Sequence, residues 1–138
     1  MSKEKQRLFD YLNHILQVIH RIQVYTEDMP QSMFLQNEMV QDAVIRNFEI
    51  IGEASRNIQQ TYPEFVVTHP ELPLIFAYGM RNALMHGYFE VDLQTVWDTV
   101  HNDLPKLQQQ VRKIAPDVFD QAGVAEQLRM NKLFFPKR

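Results

Sequence analysis

Val40-Gln41-Asp42-Ala43-Val44-Ile45-Arg46-Asn47-Phe48-Glu49-Ile50-Ile51-Gly52-Glu53-Ala54-Ser55-Arg56-Asn57-Ile58 is the stretch whose pattern decides the fold class. Val40, Val44, Phe48, Ile51 and Ile58 recur at helical steps, with Ala43 and Ala54 as small fillers, and trace one apolar stripe. Asp42, Arg46, Glu49, Glu53 and Arg56 trace a second, charged stripe at steps of four, three, four and three. One amphipathic helix from about Ser32 to Gln60 is therefore expected. The charged stripe reads either as a solvated face laced by ion pairs or as the lining of a polar groove beside a catalytic helix. A glycine inside a helix costs up to about 1 kcal/mol, so Gly52 needs a reason, and close approach of a second helix supplies one.

Upstream, Leu8, Leu12, Ile15, Ile19 and Ile22 mark one face of a helix from about Lys3 to Thr26. It must stop before Met29-Pro30, because the residue preceding proline disfavours helical backbone. Downstream, Pro63, Pro70 and Pro73 make residues 61–73 read mostly as loop. A short helix from about Pro73 to Gly87 follows, begun by a proline and ended by a glycine. Asp92 is the expected N-cap of a last long helix carrying Leu93, Trp97, Val100, Leu104, Leu107, Val111 and Ile114. Pro105 should bend that helix near His101, whose carbonyl loses its usual donor. Beyond Ala115-Pro116 the pattern weakens to a short helix around Gln121 to Met130 and an apolar Leu133-Phe134-Phe135 tail. No alternating strand pattern is sustained. The expected architecture is all-α, an antiparallel bundle of four to five helices, with residues 1–115 as the bundle and 116–138 as a C-terminal extension.

A chain of 138 residues with 45% apolar and 22% charged residues suits one globular domain. Without cysteine, disulfides and thiolate metal sites are excluded. Apolar runs are only a few residues long, so no membrane span is expected, and the start of the chain shows no apolar signal region. A cytoplasmic location is the resulting expectation. The net charge of −3 argues against broad, non-specific nucleic-acid binding but leaves room for a local phosphate site. The last ten residues carry Arg129, Lys132, Lys137 and Arg138 with no acid, a composition that reads as a solvated tail.

Phosphate-loop, zinc-protease and serine-hydrolase signatures are absent, and the five histidines show no ligand spacing on a helix. No metal and no cofactor are expected. Gly79-Met80-Arg81-Asn82-Ala83-Leu84-Met85-His86-Gly87-Tyr88 is chemically dense by comparison. Asn82 and His86 are four apart and share a helix face, so the amide can hold the imidazole in one tautomer. Arg81 neighbours His86 around the helix and can reach a phosphate from the side. Tyr88 reads either as a half-buried aromatic closing the helix end or as a functional phenol.

The Arg81-x-x-x-x-His86-x-Tyr88 pattern resembles the signature of HEPN-domain proteins, specifically the HepT branch of toxin–antitoxin pairs. Gln41 through Ala54, with its Gly52-Glu53-Ala54, resembles the family's second-helix signature. Val91-Asp92, Val96-Trp97 and Leu104-Pro105 resemble its final helix, so the likeness covers about residues 5 to 115. It departs at Phe76, where relatives commonly carry tryptophan, and in the longer tail.

The resemblance implies a dimeric HEPN-type bundle and a metal-independent endoribonuclease acting on RNA, the toxin of a type VII-like pair. Arg81 and His86 would be catalytic and Asn82 orienting. Glu53 would either orient Arg81 or simply pair with Arg56. It further implies that Tyr88 is adenylylated by an ATP-using nucleotidyltransferase, the antitoxin, within a homodimer or a larger heteromeric complex. The alternative is a non-catalytic, nucleotide-binding HEPN subunit of a nucleotidyltransferase. Phe76, Met80 and Leu84 are expected to bury the short helix at a two-fold interface.

Overall fold

The computed structural model describes residues 2–72 and 92–118, with side chains described through Ile114. α1 spans Lys3–Thr26, as its periodicity requires. Ser2 caps it, its hydroxyl accepting from the Lys5 N–H at 3.1 Å. Leu12, Ile15, Ile19 and Ile22 are fully buried, each stabilising the fold by about 1.5–3 kcal/mol relative to an exposed side chain. The helix closes through Glu27 N–H to Val24 O and Met29 N–H to Thr26 O. Asp28 then takes a left-handed φ of 56°, which aspartate tolerates better than most residues, just before Pro30.

The single helix expected from Ser32 to Gln60 is two helices. α2 is one turn, Gln31–Phe34, and α3 runs Glu38–Thr61. The break has a local cause. The Asn37 side chain accepts the Val40 N–H at 3.1 Å and so begins a new helix. Gln41 Nε2 donates to the Phe34 carbonyl at 2.8 Å and closes the corner from inside. The short connection makes α1 and α3 antiparallel neighbours, and they form the main helix pairing of the bundle.

The stretch 61–73, expected to be mostly loop, contains α4, Pro63–Thr68. Pro63 occupies its first position, where a missing N–H costs nothing, so the proline starts a helix rather than preventing one. Phe65 and Val66 pack against the core, and Leu72 is buried beyond them.

α5, Leu93–Asp98, begins at Asp92 as expected. Asp92 accepts from the N–H groups of Gln94 at 3.0 Å and Thr95 at 3.2 Å, and from the Thr95 hydroxyl at 2.9 Å. A π-helical turn, Thr99–Asp103, joins it to α6, Leu104–Val118. In that turn the Leu104 N–H reaches back to the Thr99 carbonyl. Pro105 therefore follows a wider turn in the helix, and α6 continues through Ala115-Pro116. Gln23 on α1 and Gln108 on α6 bond amide to amide in both directions, at 3.0 and 3.2 Å. Phe34, the buried faces of α1, α3, α5 and α6, and Leu72 share one core.

Among the described residues there is no strand, and no helix is long and apolar enough to cross a membrane. The expected helix from Pro73 to Gly87, the one around Gln121 to Met130 and the tail lie outside the described residues.

Candidate functional site

The site expected from sequence has one member within the described structure. Glu53 lies mid-way along α3, half-buried, between the buried Gly52 and Ala54. Gly52 has no side chain to hold neighbours away, which suits its buried position in the helix that packs on α1. On the same helix Arg46 and Glu49 form an ion pair at 3.2 Å, with the arginine side chain 70% exposed. That part of the charged stripe is a solvated face. Arg81, Asn82, His86 and Tyr88 lie outside the described residues. The structure does describe both flanks of the segment that carries them, with Leu72 in the core and Asp92 capping α5.

Asn47 is a polar residue that belongs to neither stripe of α3. It is 6% exposed and donates Nδ2–H to the Ala43 carbonyl at 2.7 Å. Its Oδ1 is buried with no hydrogen-bond partner among the described residues. The available signal was an asparagine in a helix interior, where its propensity is poor.

Two histidines share one local design. The His69 ring stacks on Phe65 with centroids 4.3 Å apart, and its Nδ1 lies 2.9 Å from the Phe65 carbonyl. The His101 ring stacks on Trp97 at 4.0 Å, with Nδ1 2.9 Å from the Trp97 carbonyl. A carbonyl can only accept, so Nδ1 carries the proton and a neutral ring keeps its lone pair on Nε2. His14 stands apart on α1, its pKa lowered from 6.5 by burial and by the nearby Arg21 charge. Among the described residues no group of three or more histidines and carboxylates is placed to hold a metal ion.

Residues 15–114 match the family model described as Ribonuclease HepT-like. The chain belongs to that family. As a HepT-like chain it is 41% identical to the "Probable ribonuclease HepT" of Thermococcus cleftensis, over 76% of this chain and 93% of that protein. It is 38% identical to a "Putative RNase" of Methanocaldococcus jannaschii, over 80% of this chain and 97% of that protein. A "Gamma-glutamylcyclotransferase and putative RNase" of the same organism is 41% identical over 78% of this chain, which there corresponds to 47% of the longer protein. No solved structure matches the chain. Arg81, Asn82, His86 and Tyr88 all fall inside the span matched by the HepT-like model, and residues 115–138 fall outside it.

Proposed function

We propose that this HepT-like chain is a metal-independent endoribonuclease, the toxin of a toxin–antitoxin pair, with Arg81 and His86 as its catalytic residues. The observation that carries the reading is the Arg-x-x-x-x-His-x-Tyr pattern inside a family match that spans residues 15–114. In this account a base removes the ribose 2′-hydroxyl proton as that oxygen attacks the phosphorus. An acid delivers a proton to the departing 5′-oxygen, and a cation holds the charged phosphorane oxygens. An imidazole titrates at about 6.5 and can fill either proton-transfer role near neutrality. Arg81 supplies a two-pronged cationic contact to the phosphate.

One His86 per chain does not fill both roles at once. The reading therefore includes a two-fold homodimer that brings two copies of Arg81 and His86 to one cleft, with Phe76, Met80 and Leu84 at the interface. Asn82 sets the imidazole tautomer, and Glu53 orients Arg81. Residues 1–115 form the catalytic unit and 116–138 its extension.

Tyr88 is the regulatory element of the proposal. Its phenol oxygen attacks the α-phosphorus of ATP on the partner nucleotidyltransferase, forming the tyrosyl–AMP bond and releasing pyrophosphate. The added bulk and negative charge beside Arg81 and His86 then exclude an RNA phosphate. The test is growth of cytoplasmic expression strains. The chain alone should arrest growth, and co-expression of a nucleotidyltransferase encoded beside it should restore growth with an AMP mass increment on the chain. Normal growth with the folded chain alone would overturn the toxin assignment.

A further inference from the structure

Four large apolar side chains stand exposed among the described residues, and three of them crowd one corner: Met33 at 53%, Leu35 at 40% and Met39 at 79%. The two stretches that form this end of the bundle are acidic. Residues 22–45 contain Glu27, Asp28, Glu38 and Asp42 without a lysine or arginine, and residues 92–105 add Asp92, Asp98 and Asp103, again without one. These two stretches meet, because Phe34 lies 5.2 Å from Trp97 and the Gln31 and Gln94 side chains are bonded. Seven of the chain's 17 acids fall in these two stretches, which Arg21, Arg46 and Lys106 border, and all but Asp103 are exposed.

Flexible methionines with an acidic rim suit a basic segment that carries apolar side chains. The sequence holds one. Arg129-Met130-Asn131-Lys132-Leu133-Phe134-Phe135-Pro136-Lys137-Arg138 has four cations, no acid and four large apolar residues, and it lies beyond the family match that ends at 114. We propose that the acidic, methionine-bearing pole is the docking surface for this chain's own basic C-terminal stretch, residues 129–138. Reach permits it. Trp97, against the corner, precedes Val118 by 21 residues of continuous helix, about 32 Å at the helical rise. The ten residues 119–128 can span about 33 Å when extended.

The test uses the intact chain with 13C-methyl methionine, reading the Met33 and Met39 methyl resonances. Reversing the tail charges (Lys132→Glu, Lys137→Glu, Arg138→Glu) should shift both resonances. Raising the salt of the parent from about 0.01 to about 1 M, which shortens the Debye length from about 30 to about 3 Å, should shift them the same way. Adding Glu38→Lys and Asp42→Lys to the tail variant should return Met33 towards its parent position. Unmoved Met33 and Met39 resonances in the tail-reversed chain would overturn the proposal. So would a fall in oligomeric mass on tail reversal, which would assign the pole to the tail of a second copy. Neither readout depends on RNA cleavage.

Discussion

The Phe34 ring lies 5.2 Å from the Trp97 ring at an interplanar angle of 38°, tying the one-turn helix after α1 to the first turns of α5. Phe34 is fully buried. Removing its ring leaves a cavity where three elements meet, and Phe34→Ala should lower stability by about 3–5 kcal/mol. Chemical denaturation followed by fluorescence of Trp97, the chain's one tryptophan, checks this directly. A loss below about 1 kcal/mol would show that the corner is not held by this ring.

Gly52 is buried in α3, the helix that packs along α1. Gly52→Leu adds a large side chain to this packed position, and the overpacking should cost about 1–3 kcal/mol despite the better helix propensity. Gly52→Ala separates the two effects. An increase in melting temperature for both variants would mean that the glycine is not required for helix approach.

Asp92 gives a pH-dependent prediction. The bond from the Thr95 hydroxyl, then those from the Thr95 and Gln94 N–H groups, hold its pKa below the ordinary 3.8. A carboxylate with a depressed folded pKa contributes stability that is fully present above 3.8 and is lost as pH falls through the lower folded value. Asp92→Ala should therefore melt below the parent at neutral pH, with the gap closing only under strongly acidic conditions. Asp92→Asn keeps an acceptor and should fall between the two. A gap unchanged down to acid conditions would contradict the cap assignment.

Much of this architecture was legible from spacing. The steps of four and three through Leu8, Leu12, Ile15, Ile19 and Ile22 define the buried face of α1, and Asp92 was readable as a cap. The break at residues 35–37 was not, because Leu35-Gln36-Asn37 holds neither proline nor glycine. Only the Asn37 side-chain bond shows that a new helix begins there. α4 was missed for the opposite reason, since Pro63 was read as a breaker where it serves as a first helical residue. Near His101, where Pro105 was expected to bend the helix, the chain makes a π-helical turn. At the site, Glu53 is placed on α3, whereas the roles of Arg81, Asn82, His86 and Tyr88 rest on motif and family. The burial of Asn47 needed packing to reveal it, because a helical period does not say which neighbour covers a polar side chain.

Tyr88→Phe removes only a hydroxyl. The proposed regulation predicts that this variant still cleaves RNA and still arrests growth when the nucleotidyltransferase is co-expressed, while the parent is neutralised. Equal neutralisation of the two would replace adenylylation with inhibition by complex formation.

Light scattering should report a mass near twice the 16.4 kDa of the chain. A monomer at micromolar concentration would leave one His86 to serve as both base and acid, and the shared-cleft mechanism would fail.

The most direct measurement is cleavage of single-stranded RNA by the purified, unmodified chain in EDTA, beside Arg81→Ala and His86→Ala variants of matched melting temperature. The parent should cleave in the chelator and each variant should lose at least about 100-fold in activity, the scale of general acid–base and electrostatic contributions. Undiminished cleavage by either folded variant, or cleavage that EDTA abolishes and a divalent ion restores, would contradict the proposed mechanism.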